Sequence, residues 1–378
     1  MTNKFDVIVI GVGGMGSSAC YHLARRGKRV LGIDRFGIPH AMGSSHGVNR
    51  IIRLAYYEDP SYVPLLRRAF ELWRDLERGF GEQLLFITGS IDASHEDHFV
   101  FRESKRSCQL HGIPYEELSA LELRERFPGF SLPTEFRAIY QPDGGFVMSE
   151  RAIVAHVTGA LEASAEIRGH EPVMSWATTT SGVVVDTRRA TYFADQLIVS
   201  AGAWIGQFVP ALSHVIVPER QVLGWFQPTA PDLFCAGRMP VFNLAVDEGR
   251  YYGLPVHSIP GFKFGRYHHL AEQIDPDHWD RLPGSADEDI LRPALKRYFP
   301  AADGPVLSMA SCMFTNTPDE HFVVDRLEPG SPVIVASPCS GHGYKFASVI
   351  GEVLADLVID NRTGHNIDLF KLDRFSPQ

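Results

Sequence analysis

Three glycines at the end of an apolar run are the first residues of this chain whose spacing suggests chemistry. Asp6-Val-Ile-Val-Ile10 leads into Gly11-Val-Gly-Gly-Met-Gly16, with glycines at 11, 13 and 16. Gly11 permits a tight turn out of a strand, Gly13 lets backbone approach a pyrophosphate, and Gly16 lets the next helix lie close on the sheet. The unpaired N–H groups that open such a helix attract an anion. Asp34 closes a second apolar run, where a carboxylate accepts a hydrogen bond from a ribose hydroxyl. Together these residues predict a dinucleotide site, without choosing between FAD and NAD. For the glycines alone, a tight turn that binds nothing is the alternative.

Those groups need a strand, a helix and a second strand to position them. The β-branched run at 6–10 predicts a buried parallel strand, 17–26 a helix closed by Gly27, and 29–33 a second strand. Helices are predicted over 61–78, with Val63, Leu66, Phe70, Trp73 and Leu76 on one face, and over 151–165. Residues 182–186 and 191–193 predict a hairpin, followed by a separate buried strand at 196–200. Segment 216–311, rich in proline and aromatics, predicts an antiparallel sheet; a third buried strand at 332–336 precedes a turn and a helix that buries Phe346, Ile350, Val353, Leu354 and Leu357.

The expected fold class is therefore α/β. A doubly wound dinucleotide-binding domain (1–85, 146–215 and 318–378) carries an inserted antiparallel-sheet substrate domain (86–145 and 216–317). The 378 residues suffice for two cores, and 44% hydrophobic content is that of a globular chain. A net charge of -9 argues against non-specific nucleic-acid or anionic-membrane partners. Five scattered cysteines, with no CxxC pair, predict neither a disulfide framework nor a metal site. No apolar run is long enough to span a bilayer and the start lacks signal-peptide features, so a reducing, cytoplasmic setting is expected.

Several further segments resemble the monomeric sarcosine oxidase family, which includes N-methyltryptophan oxidase. They are Gly43-Ser-Ser-His-Gly-Val-Asn-Arg-Ile-Ile-Arg53, Tyr251-Tyr-Gly253, Lys263, Ser311-Cys-Met313, Pro318-Asp-Glu320 and Ser340-Gly-His-Gly-Tyr-Lys-Phe346, in family order and nearly end to end. The resemblance implies FAD at Gly11, Gly13, Gly16, Asp34, Ser44, His46, Arg50, His342, Gly343 and Lys345, with a covalent link from Cys312 to the flavin 8-methyl group. It implies that Arg53 and Lys345 clamp a substrate carboxylate beside Gly341. Such a pair suits that task, because Arg offers a two-pronged fork and Lys a point charge. Lys263 matches the lysine that holds water beside flavin N5 and promotes reaction with oxygen, and Arg50 lies against the other side of the ring.

Tyr252 and His268 match the active-site tyrosine and histidine, with His269 or Tyr267 as alternatives because the spacing from Lys263 is one residue longer. Three departures stand out: Asn49 replaces a threonine, Ser45 a histidine and Phe314 a tyrosine. Arg250, His257 and Arg266 add positive charge near the expected pocket mouth. They are either surface variation or a site for a second substrate carboxylate, as in iminodiacetate, with Arg266 the expected contact.

The function implied is oxidation of a small secondary amino acid by a monomeric enzyme. O2 is the acceptor, and hydrogen peroxide, an aldehyde or oxo acid and a shorter amine are the products. Alternatives are an FAD dehydrogenase of a cyclic imino acid, a regulatory NAD(P)-binding protein, and a flavoprotein without turnover.

Overall fold

The computed structural model describes residues 3–375. Five parallel strands form the centre of the first sheet: Glu166–Arg168, Val30–Ile33, Lys4–Ile10, Thr191–Val199 and Val333–Ser337. The runs 7–10, 30–33, 197–199 and 333–337 are buried on both faces, as a parallel sheet requires, whereas the edge strand Glu166–Arg168 is partly exposed. On one face Val7, Val9, Val30 and Ile334 meet the helices Gly14–Arg25, Ser149–Glu162 and Ala347–Ile359. On the other, Ile8, Ile10, Leu31 and Val335 meet Val183, Val185, Ile205, Val209 and Leu212.

The expected separate strands at 191–193 and 196–200 are one strand, Thr191–Val199. Its first half pairs antiparallel with Gly182–Thr187 and its second half parallel with Val333–Ser337. The change of partner, not a break in the chain, changes its burial pattern. The first helix begins at Gly14, earlier than expected, and Val63–Phe80 is preceded by a 3-10 turn at Pro60–Tyr62.

The second sheet runs in the order Val306–Asn316, Val217–Phe226, Phe262–Arg266, Gly249–Leu254, Val241–Val246, Ser90–His95, Phe136–Gln141, Glu116–Ser119. All its neighbours are antiparallel except Val241–Val246 with Ser90–His95. A core of Phe226, Phe234, Phe242, Phe262, Phe264 and Phe299 lies under the helix Ser285–Tyr298. That helix corrects the expectation of sheet throughout 216–311. It buries Leu291, Ala294, Leu295 and Tyr298 at helical spacing, despite an internal Pro293. A three-stranded sheet of Asn49–Ile52, Gly145–Met148 and Leu85–Ile87 completes the fold and carries Asn49 and Arg50.

Candidate active site

The parallel strands all end at one edge of the first sheet, where doubly wound folds bind their ligands. Ile10, Ile33 and Ala336 reach a cavity of about 670 Å³ there, with Ser200 just beyond its strand. At Gly11 (φ +87°) a Cβ would stand 2.6 Å from the Ser200 carbonyl oxygen, and at Gly16 only 1.8 Å from that of Gly11. No side chain could replace either without moving backbone. Gly13 caps the first helix without a side-chain bond and, like Gly14, faces the cavity. Asp34 is buried on the same wall; its carboxylate accepts from Val12 N and Phe36 N, both at 2.8 Å. An uncapped helix start above a backbone-lined turn, with a carboxylate beyond it, fits a dinucleotide.

The rest of the wall comes from the second sheet and the loop before the last helix. Strand alternation decides which side chains arrive. In the segment around Phe262–Arg266, Phe262 and Phe264 enter the aromatic core, so Lys263, Gly265 and Tyr267 share the opposite face; Lys263 and Tyr267 line the cavity. Tyr252 lies across Gly265, where a Cβ would meet its ring at 2.5 Å. Val306–Asn316 brings Cys312, Met313, Phe314 and Thr315 to the wall.

This parity corrects the expectation for His268. Tyr267 faces the cavity, its ring 5.4 Å from Tyr252 and 5.8 Å from Phe314. His268 lies off the wall, between Glu219 (2.9 Å) and Glu320 (3.0 Å), whose hydrogen bonds raise its imidazole to about 9. His269 is buried against Asp287 at 2.8 Å. Arg266 also lies off the wall, contrary to its expected substrate contact: parity sends it to the other face, where it packs over Gly249 and donates to His269 O. Arg250 stacks on Tyr267 at 4.2 Å, and His257 packs against Phe86 and Phe146.

Lys263 is only 2% exposed and donates to Gly47 O and Asn49 O at 2.7 Å and Asn49 Oδ1 at 3.0 Å. Burial, with Arg50 adding to it, pushes its ammonium well below the ordinary range. Arg50 and Ser44 also line the cavity, and Arg50 donates to Ser44 O at 2.9 Å. His46 stands behind the wall, pushed down to about 4 by burial and Arg50.

Lys345 is buried on the wall and donates to His342 O at 2.6 Å. Burial and the neighbouring Arg53 lower it to about 7. Arg53 is 1% exposed, and its guanidinium lies 4.5 Å from the Tyr56 ring, which is 5.3 Å from Lys345 Nζ. The two cations are therefore buried neighbours. Arg53 does not itself line the cavity: Glu58 takes its Nη2 at 2.8 and 2.9 Å, and Asp92 lies 3.7 Å away. Neither acid was singled out in the sequence, although Glu58 follows two aromatic residues five positions from Arg53, a setting that marks a buried charge in need of a partner.

Gly341 (φ +76°), His342 and Gly343 line the same wall. A Cβ on Gly341 would stand 2.6 Å from the Phe314 ring. Burial lowers His342 to about 4; its Nδ1 meets the Tyr56 hydroxyl at 2.6 Å and its Nε2 the Glu320 carbonyl oxygen at 2.9 Å. The helix expected near Gly343 begins as a 3-10 turn, Tyr344–Phe346, that continues into Ala347–Ile359. Among the described residues, no group of His, Cys, Asp and Glu is arranged to hold a metal ion, and no helix is long and apolar enough to cross a membrane.

Comparison with known proteins agrees with this geometry. The chain is 39% identical to monomeric sarcosine oxidase of Streptomyces avermitilis, over 98% of this chain and 97% of that protein. It is 34% identical to N-methyl-L-tryptophan oxidase of Yersinia pestis, over 98% and 99%. Among solved structures, the amino acid oxidase NikD aligns with a TM-score of 0.84 at 23% identity, covering 98% of both chains. Glycine oxidase from Geobacillus kaustophilus aligns at 0.81 and 20%, covering 100% of both; at such identities the likeness is one of fold. The family described as FAD dependent oxidoreductase matches residues 6–357, nearly the whole span over which the two sheets enclose the cavity. The dinucleotide is thus FAD, and the chain belongs to the family of FAD-dependent oxidoreductases.

Proposed function

We propose that this enzyme is an oxidase of a small secondary, N-alkyl amino acid such as sarcosine or iminodiacetate. It oxidises the C–N bond to an imine, which water hydrolyses; O2 and water are consumed, and hydrogen peroxide, an aldehyde or oxo acid, and a shorter amine are formed. When bound, the flavin would supply the redox chemistry, taking a hydride equivalent from the carbon beside the amine nitrogen and passing two electrons to O2. The observation that carries this reading is a pair of buried lysines, Lys263 and Lys345, on the wall of one dinucleotide cavity.

Lys345 holds the substrate carboxylate, and Arg53 joins it by exchanging part of its contact with Glu58 for the incoming anion. Burial and the neighbouring Arg53 depress Lys345, and an arriving carboxylate restores its ammonium form. Tyr252, Tyr267 and Phe314 shield the amine from water, and Gly341 lets Phe314 lie flat against the final loop. Lys263 and Arg50 place positive charge where negative charge develops on oxygen, a preorganised electrostatic role. Cys312 carries the covalent link to the flavin; burial pushes its thiol up, and Arg50 and Lys263 offset part of that rise.

In this reading the unit 1–85, 146–215 and 318–378 holds the cofactor and the unit 86–145 and 216–317 the substrate. The enzyme acts as a monomer in the cytoplasm. A peroxide-coupled screen of sarcosine, N-methyltryptophan, pipecolate, proline and iminodiacetate tests the reading. Peroxide from at least one N-alkyl amino acid supports it. Flavin reduction without oxygen uptake would favour a dehydrogenase instead.

A further inference from the structure

The loop that holds Lys263 is itself held from behind. Val48 has φ +75°, an unusual conformation for a β-branched residue, and Asn49 N donates to Gly47 O at 3.0 Å across it. This is the hydrogen bond and the φ sign of the rare, strained γ-turn. The turn sets the Gly47–Val48 peptide unit across the space between two charged side chains. Its carbonyl oxygen accepts from Lys263 Nζ at 2.7 Å, while its N–H donates to both oxygens of Glu150 at 3.1 Å. Gly47 N adds a bond to Glu150 at 2.7 Å. A strained turn persists only where its surroundings hold it, and here both ends of one amide are gripped.

Three oxygens surround Lys263 Nζ: Gly47 O, Asn49 O and Asn49 Oδ1. An ammonium has three N–H donors and satisfies all of them; a neutral amine has two and leaves one oxygen facing its lone pair. The geometry therefore fits the charged form, although the site is dry. The charged and titratable groups around it are Arg50 from Asn49–Ile52, Cys312 from Val306–Asn316, His46 from the preceding loop and Glu150 from Ser149–Glu162. Of these, Arg50 opposes a second positive charge, Cys312 is uncharged as a buried thiol or as the flavin thioether, burial holds the His46 imidazole neutral, and Glu150 is the carboxylate.

We infer that Glu150 is a positioning residue for the reaction with oxygen. It polarises the Gly47–Val48 amide and keeps Lys263 an ammonium on the cavity wall. Glu150 itself remains ionised: burial would raise it, but the Ser149 hydroxyl at 2.6 Å and the Val48 amide hold it below the ordinary carboxylate range. The inference rests on the proposed role of Lys263 and adds a residue to it.

The test is the rate at which flavin-loaded, anaerobically reduced enzyme is reoxidised by O2, measured by stopped flow across pH for wild type, Glu150→Gln and Lys263→Met. An ammonium that promotes the reaction is lost as pH rises through its pKa. Removing the nearby negative charge should therefore move that loss to lower pH by about one unit, roughly tenfold in rate at a pH between the two midpoints. In Glu150→Gln, reduction by substrate should change less than reoxidation does. If Glu150→Gln reoxidises with the wild-type pH profile while Lys263→Met is slow at every pH, this inference is overturned and the role of Lys263 stands. If Lys263→Met reoxidises normally, both are overturned. Should Glu150→Gln fail to retain flavin, Glu150→Asp keeps the charge but withdraws it by one methylene. It should shift the profile in the same direction by less, and an unshifted profile overturns the inference.

Discussion

Replacing Lys345 by methionine tests the proposed carboxylate clamp, because a simple carboxylate such as acetate can be bound without any amine chemistry. Lys345 is 5% exposed, and burial beside Arg53 lowers it to about 7. A charge-assisted hydrogen bond in a dry site contributes about 1.5–3 kcal/mol, which is about 10- to 100-fold in affinity. The wild-type Kd for acetate, read from the change in flavin absorbance, should be constant while Lys345 is an ammonium. It should then weaken as pH rises above about 7, by up to tenfold per unit. The direction follows from the charge: the free site loses its proton above that pH and must regain it to hold the anion. In Lys345→Met the affinity should be about 10- to 100-fold lower at pH 6, and the bend near neutrality should vanish. A bend that survives the substitution, or an unchanged Kd, would refute the assignment of Lys345 as the carboxylate ligand.

Three other outcomes follow from the same geometry. Arg53→Met leaves the Glu58 and Asp92 carboxylates buried without their cation, so denaturant titration should show a loss of about 3–5 kcal/mol, partly restored by adding Glu58→Gln. Cys312→Ala should release its flavin into the supernatant on acid precipitation, whereas the wild-type flavin stays with the pellet. His268→Gln should leave kcat/KM unchanged, since the ring lies off the wall. Its stability should change with pH: the raised imidazole contributes fully below its unfolded value of about 6.5 and loses that contribution as pH climbs through about 9, so thermal melts should show the variant lacking this decline.

The dinucleotide half of the site was legible because its determinants are local. Gly11, Gly13, Gly16 and Asp34 act through turn geometry and two short strands, which neighbouring residues dictate. What was harder to see depended on distant partners. Thr191–Val199 reads as two strands because its outer half alternates, with Tyr192 and Ala194 buried and Phe193 exposed, whereas Leu197–Val199 is buried on both faces. The helix Ser285–Tyr298 is masked by Pro293 and by a run of charges that all face outward except Asp287. His268 was chosen by residue type, but period-two alternation from Lys263 already selects Tyr267. The turn that follows, with positive φ at His268, His269 and Ala271, then carries both histidines away from the cavity. Glu150 reaches the Gly47–Val48 amide from about a hundred residues away, a contact that no local pattern announces.

The central claim, that this cavity oxidises a secondary amino acid through its flavin, is tested most directly by one anaerobic titration. Enzyme as purified is mixed without oxygen with each N-alkyl amino acid in turn, and the visible absorbance of the oxidised flavin is followed. The account predicts bleaching by at least one of them, recovery on admitting air, and one hydrogen peroxide for each flavin reoxidised. A flavin that keeps its colour with every member of the series, while remaining reducible by dithionite, would contradict it.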